Sequence, residues 1–204
     1  MAARFEGKPQ VEWLGDGRNV KLLADIIFFD PAETRWAVPA GAVVDGASIP
    51  KILWPIVGGP FEGQYRDASI IHDWYCDKRT RTWQATHRVF YDAMLVSGVR
   101  DRKAKVMYFA VRWRGPRWEE RITINTNLDV GIKFNFPGGP IQTSTFDKDD
   151  ITITIKNVSN PGESFAEAQQ FKIFSDIKEK IEYNDYSVDE IDALADGLKS
   201  DSSA

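Results

Sequence analysis

The sequence predicts an α+β fold: short N-terminal β-strands and a three-helix core, followed by an extension that is first β-rich and then helical. Three observations carry this expectation. Residues 1–40 alternate apolar and polar side chains between turn signals. Residues 63–114 switch to apolar spacings of three and four. Beyond "RGPRWEE" the pattern returns to alternation, in "ITINTNLDVGIKFNF" and "ITITIKNV", before two further helical stretches. The resulting division is a core domain over 1–115, a β/α extension over 116–196 and a disordered tail over 197–204.

Each element has a local cause. "VEWL" leads into "GDGR", where Asp16-Gly17 signals a hairpin, and "NVKLLADIIFF" forms the returning strand region. "DPAE" is a turn, followed by the strand "RWAVPA". "GAVVDGASIPKILWPIVGGPFEG" is too apolar for a solvated loop and too rich in Gly and Pro for a regular element. It reads as an irregular segment packed on the core.

Three helices follow. In the first, from Gly63 or Gln64 to Asp77, Tyr65, Ala68, His72 and Tyr75 share a face. The second, Thr82 to Val96, carries His87, Phe90, Tyr91, Met94 and Leu95 on its apolar stripe, and Gly98 ends it. The third, "RDRKAKVMYFAVRW", aligns Ala104, Met107, Phe109, Ala110 and Trp113. Arg100, Arg102, Lys103 and Lys105 crowd its start, which the helix dipole opposes unless negative charge lies nearby. Near the C-terminus, Ser164 with Glu167 three residues on offers a capping box, and "SVDEIDALADGL" is a short acidic helix.

Composition narrows the class. Hydrophobic residues make up 43% and charged residues 27%, so the chain can bury a core and remain in water. No run approaches the roughly 18 apolar residues of a membrane span. The first ten residues lack the apolar stretch of a secretion signal. Cys76 is the single cysteine, which excludes an intrachain disulfide and suits a reducing compartment. The expected location is the cytoplasm on synthesis, with later association with a virion left open.

Charge is unevenly distributed. Residues 1–77 hold 7 basic and 11 acidic side chains, 78–121 hold 12 and 4, and 122–204 hold 7 and 15. The middle third is therefore +8 between flanks of −4 and −8. Such a block faces phosphates of nucleic acid or lipid, the acidic C-terminal region of the same chain, or a partner subunit. No nucleic-acid motif accompanies it.

The chemistry concentrates on the only two histidines, His72 and His87. Fifteen residues apart on successive helices with a short connection, they project into one groove. Asp73 is one step, about 100°, round the helix from His72. His72, Asp73 and His87 are acceptable ligands for a zinc-like ion, and equally a general base with its orienting partner. They are also compatible with satisfied polar groups in a core. Ser48 lacks a nucleophile elbow and suits a turn. Cys76, four residues after His72, is close enough in spacing to approach it, or is simply a small buried residue.

"VPAGAVVDGASIPKILWPIVGGPFEGQYRDASIIHDWYCD", with "RVFYDAM" and "AKVMYFAVRWRG", resembles domain-of-unknown-function family 1353 over about residues 10–115. The resemblance implies association with phages and prophages. The stretch "DGASIP…ASIIHDWYCDKR…HRVFYDAM" is also similar to the core of bacterial phospholipase A2. That second resemblance implies His72 as the base that activates water and Asp73 as a Ca²⁺ ligand, with loop carbonyls around Val57–Gly59 completing the coordination. His87 stands where that family carries an orienting aspartate, and a neutral imidazole cannot stabilise an imidazolium as a carboxylate does. Asp45 in "DGASIP" is a substitute if its loop folds back.

Two functions are expected from these residues. One is a metal-assisted ester or phospholipid hydrolase with His72 as base, Asp73 on the metal, and His87 and Asp45 in support. The metal is Ca²⁺ or, alternatively, Zn²⁺, and the partner is phospholipid. The other is a phage structural or assembly protein, an oligomer or a binder of phage or host protein through its C-terminal extension.

Overall fold

The structure is a computed structural model. It describes residues 2–15, 19–45, 54–57, 63–118, 120–125, 143–146, 150–155 and 166–198. Asp16-Gly17, Ser48, Gly58–Gly59, the "PGGP" turn, Ser164 and the tail beyond Leu198 lie outside those residues. The chain divides into two compact units, residues 1–116 with 160–204, and residues 117–159.

The α+β class holds. In the larger unit, six strands form two antiparallel three-stranded sheets. One has the order β1 (Arg4–Glu6), β4 (Ile26–Phe29), β5 (Arg35–Val38); the other has β2 (Val11–Trp13), β3 (Val20–Leu22), β6 (Val43–Val44). "NVKLLADIIFF" is thus not one strand. It breaks at Leu23–Asp25, and its halves β3 and β4 enter different sheets. Side chains alternate as the pleat requires: Val20, Leu22, Ile26, Phe28, Trp36 and Val38 are buried, whereas Lys21 is exposed. The "DPAE" turn closes through Asp30, whose Oδ1 accepts from the N–H groups of Ala32 and Thr34 at 2.9 and 2.8 Å. Glu33 in that turn adopts φ 60°.

The helical core comprises the short α1 (Trp54–Val57), then α2 (Arg66–Lys78), α3 (Trp83–Val96) and α4 (Asp101–Arg114). α2 ends with Arg79 in the left-handed region, its N–H returning to the Tyr75 carbonyl. α3 begins at Thr82, whose side chain accepts from the Ala85 N–H at 3.1 Å. It ends in a Schellman arrangement: Gly98 (φ 82°) donates to Leu95 O, and Val99 donates to Met94 O. The faces expected of the three helices are buried, except that Leu95 at the end of α3 is exposed. Fully burying Trp113, Phe109 or Phe90 stabilises the unit by about 1.5–3 kcal/mol each.

α2 is fastened to β5, which fixes where its histidine faces. The Tyr75 hydroxyl accepts from the Ala37 N–H at 3.0 Å and lies edge-on to Trp36, with ring centroids 4.8 Å apart. The Arg81 guanidinium covers Trp36 and donates to the Arg35 carbonyl.

Two more helices of this unit are described, α5 (Glu167–Tyr183) and α6 (Val188–Gly197). The N-cap of α5 is Ala166, so the capping box expected from Ser164 and Glu167 is not how it starts. A complete capping box is found one helix later, between Ser187 and Glu190. Phe174, Ile177, Ile181, Ile191 and Ala195 of these helices are part of the core. The smaller unit contains an antiparallel sheet of β7 (Glu120–Asn125), β9 (Asp150–Ile155) and β8 (Thr143–Phe146), in the order β7-β9-β8. No helix among the described residues is long and apolar enough to cross a membrane.

The basic block finds acidic partners within the chain. Lys105 reaches Asp101 at 2.7 Å and Asp185 at 3.4 Å; Arg88 reaches Asp189 at 3.6 Å. Arg112 binds Asp192 and Asp196, both at 2.8 Å. Asp101 and Asp185 supply negative charge near the start of α4, where the macrodipole alone disfavours Lys105, whereas Arg112 stands in the last turn, where the dipole favours it.

Candidate metal centre between two helices

Helices α2 and α3, joined by residues 79–82, lie side by side and bring the two histidines together. His72 Nε2 and His87 Nδ1 are 2.8 Å apart and both rings are buried. The hydrogen-bond directions follow from a neighbouring group. His87 Nε2 is 3.1 Å from the Pro116 carbonyl, which can only accept, so Nε2 carries the His87 hydrogen. In the neutral ring, Nδ1 then presents a lone pair, and the His72 Nε2–H donates to it. The result is a directed chain from His72 through His87 to the backbone after α4.

Aromatic walls surround this chain. His72 stacks on Phe90 with centroids 4.7 Å apart, and Trp83 meets His87 edge-on at 5.7 Å. Water is replaced by rings on these sides, so charging His72 costs solvation. Burial accordingly pulls its pKa down from 6.5 to about 3, keeping it neutral at physiological pH.

A third donor faces the same point. Cys76 Sγ is 3.6 Å from His72 Nε2, one helical turn along α2. The donor atoms of His72, Cys76 and His87 all lie within 4.8 Å of one another, and they form the metal-ligating group found among the described residues. Neither Asp73 nor Asp45 belongs to it. Asp73 is buried next to His72 on α2, and Asp45 is half-buried just past β6. The i,i+4 spacing of His72 and Cys76 is the sequence signal for this third donor.

The donors can be tested against an ion by chemistry and distance. Two imidazole nitrogens and one thiolate suit a borderline or soft ion such as Zn²⁺, whereas Ca²⁺ takes six to eight oxygens. Around a tetrahedral zinc, neighbouring N and S ligands stand about 3.6 Å apart and two N ligands about 3.3 Å apart. The His72–Cys76 distance matches the first value. To match the second, the histidines need to part by roughly half an ångström, and the His72 hydrogen must move from Nε2 to Nδ1 so that Nε2 can ligate. The bond from His87 to Pro116 is the outer support a ligating imidazole ordinarily has, because it fixes which nitrogen offers the lone pair.

Gly115 allows that support. A Cβ there would stand 3.0 Å from His87 Cε1 and 2.2 Å from the Val111 carbonyl oxygen. The backbone after α4 approaches the ring this closely because it carries no side chain.

Comparison with known proteins places these residues in a family context. The chain is 49% identical over 104 residues to the uncharacterized protein y4iH of Sinorhizobium fredii (strain NBRC 101917 / NGR234), covering 51% of this chain and 44% of that one. It is 52% identical over 98 residues to the uncharacterized protein y4jT of the same strain, covering 48% of this chain and 29% of that one. The chain therefore spans less than half the length of these relatives. No solved structure matches. Residues 20–111, which include His72, Cys76 and His87, match the model of a family described as a protein of unknown function, DUF1353.

Proposed function

We propose that the chain is a metal-dependent hydrolase of esters, phospholipid among them, whose ion is a zinc-like cation held by His72 Nε2, His87 Nδ1 and Cys76 Sγ. The observation that supports this reading is the convergence of those three donor atoms within 4.8 Å. Three protein ligands leave one tetrahedral position, the coordination of hydrolytic rather than structural zinc. An ion there supplies Lewis acidity toward a carbonyl or phosphoryl oxygen and lowers the pKa of water.

The chain's own residues divide the remaining work. His87, anchored on Pro116, holds its lone pair toward the centre. Phe90 and Trp83 exclude water from the flanks of the imidazoles. Asp73, beside His72 on α2, carries the proton as general base. This differs from the calcium arrangement expected by resemblance, since Cys76 takes the ligand role given there to Asp73.

Turnover of nitrophenyl esters and phospholipid vesicles by zinc-loaded protein tests the reading. Asp73→Asn is expected to lower kcat by about a hundredfold with metal content unchanged. Cys76→Ser is expected to lower metal content and activity together. Absence of turnover with Zn²⁺, Ca²⁺ and Mn²⁺ alike would defeat the hydrolase assignment.

A second reading has its own support in the separate unit 117–159, whose three-stranded sheet lies outside the family match. There β7 and β8 each pair with β9 alone among the described strands, and strand addition to another chain would make this an assembly protein of a phage or prophage.

A further inference from the structure

The C-terminal helix α6 lies outside the family match, yet its carboxylates connect to the histidine pair. Asp192 Oδ1 accepts from Arg112 Nε at 2.8 Å and from the Tyr108 hydroxyl at 2.7 Å. Asp196 Oδ2 accepts from Arg112 Nη2, also at 2.8 Å. The guanidinium so held is buried and lies over the Trp83 ring, 4.4 Å from its centroid. Trp83 in turn meets His87 edge-on.

Arg112 is also in the last turn of α4, two residues before the helix ends. The Gly115 N–H closes that end on the Val111 carbonyl at 2.7 Å, and the next carbonyl, Pro116, accepts the His87 Nε2–H. Two routes therefore run from α6 to His87: one through Trp83 against the ring, and one through the end of α4 to the hydrogen bond that fixes the tautomer. Both pass through Arg112.

We infer that α6 is a positioning element for the centre: Asp192 and Asp196, by clamping Arg112, hold the Pro116 carbonyl where it keeps the Nδ1 lone pair of His87 directed at His72 and Cys76. Asp192 and Asp196 are not among the three donors, and the inferred route from them to the centre runs through Arg112. The metal-binding part rests on the proposed function, whereas the tautomer part stands on the hydrogen-bond geometry alone. In the inferred arrangement, loosening the clamp lets the end of α4 move. The His87 Nε2–H then loses its acceptor, and the hydrogen is shared between the two ring nitrogens. A ring with hydrogen on Nδ1 cannot ligate there.

The test uses the full chain with ¹⁵N-labelled histidine, first metal-free and then titrated with Co²⁺. In the wild type, His87 is expected to carry its hydrogen on Nε2. The Asp192→Asn/Asp196→Asn variant is expected to show both tautomers and a Co²⁺ affinity lower by about tenfold to a hundredfold, the range for loss of an outer support. Asp196→Glu, which retains the charge, should keep the wild-type tautomer. If the double variant fails to fold, Asp196→Asn alone is measured and is expected to give a smaller shift in the same direction. A folded variant with unchanged His87 nitrogen shifts and affinity would overturn the inference, as would a wild-type His87 carrying its hydrogen on Nδ1. Wild-type protein that binds no Co²⁺, while the tautomer still shifts in the variant, would sink the metal reading and leave the positioning role standing.

Discussion

His87→Ala is expected to destabilise the larger unit by about 3–5 kcal/mol, read from the urea midpoint, and to abolish binding of Co²⁺ or Zn²⁺. The stability loss has two sources. Removing a fully buried ring opens a cavity between α3 and the end of α4, in a region already closed by Trp83 and Gly115. The change also strands two groups that His87 now satisfies, the His72 Nε2–H and the Pro116 carbonyl. His87→Gln keeps a donor and an acceptor in one side chain and is expected to recover about half of the loss. If His87→Ala matched the wild type in urea, the directed chain between the helices would not be a structural feature of the folded protein.

The second large effect is acid destabilisation through His72. Its folded pKa, near 3, lies below the unfolded value of 6.5 because the imidazole is buried. The unfolded chain therefore takes up a proton below pH 6.5 that the folded chain refuses until about pH 3. Stability is fully present above 6.5 and falls with decreasing pH through that window. The slope is at most about 1.4 kcal/mol per pH unit. Asp92 acts in the opposite sense. Burial raises its pKa from 3.8 to about 6, so its contribution declines as pH rises through that interval. The clean quantity is consequently the difference between the wild type and His72→Gln, a variant that can still donate to His87 without titrating. Unfolding of metal-free protein at several pH values between 4 and 7 is expected to give a wild-type slope steeper by up to one proton. Parallel curves would mean that His72 is hydrated in the folded state.

Much of this architecture was legible in the residues, for identifiable reasons. The three central helices announce themselves because a buried face with a 3.6-residue period leaves a strong signal in Tyr65, Ala68, His72 and Tyr75 and in their counterparts on α3 and α4. Gly98 marks a chain reversal that needs positive φ, and it has it. The pairing of His72 with His87 followed from two helices and a short connection. What escaped was non-local. The split of "NVKLLADIIFF" at Leu23–Asp25 depends on which sheet each half joins, and alternation reads the same in either. Ser164 and Ser187 both precede a glutamate by three residues, and local sequence cannot say which pair caps a helix.

The site shows the same division. Two of the three clustered donors, His72 and His87, were named from the sequence, whereas the third ligand place was given to Asp73 and Cys76 had a plain alternative as a small buried residue. Its supports, the Pro116 carbonyl and the Arg112 clamp, leave no motif at all. A backbone carbonyl has no residue signature, and Arg112 meets Asp192 and Asp196 across 80 and 84 residues of chain. The basic block left phosphates, the acidic C-terminal region and a partner subunit open, and carboxylates of the C-terminal region meet three of its side chains, Arg88, Lys105 and Arg112.

The central claim is that His72, Cys76 and His87 together hold one zinc-like ion, and X-ray absorption at the zinc edge of the zinc-loaded chain addresses it most directly. The account predicts one sulfur neighbour at about 2.3 Å and two imidazole nitrogens at about 2.0–2.1 Å, with the sulfur shell lost in Cys76→Ser. A shell of oxygen neighbours without sulfur, or wild-type protein that retains no zinc after dialysis, would contradict it.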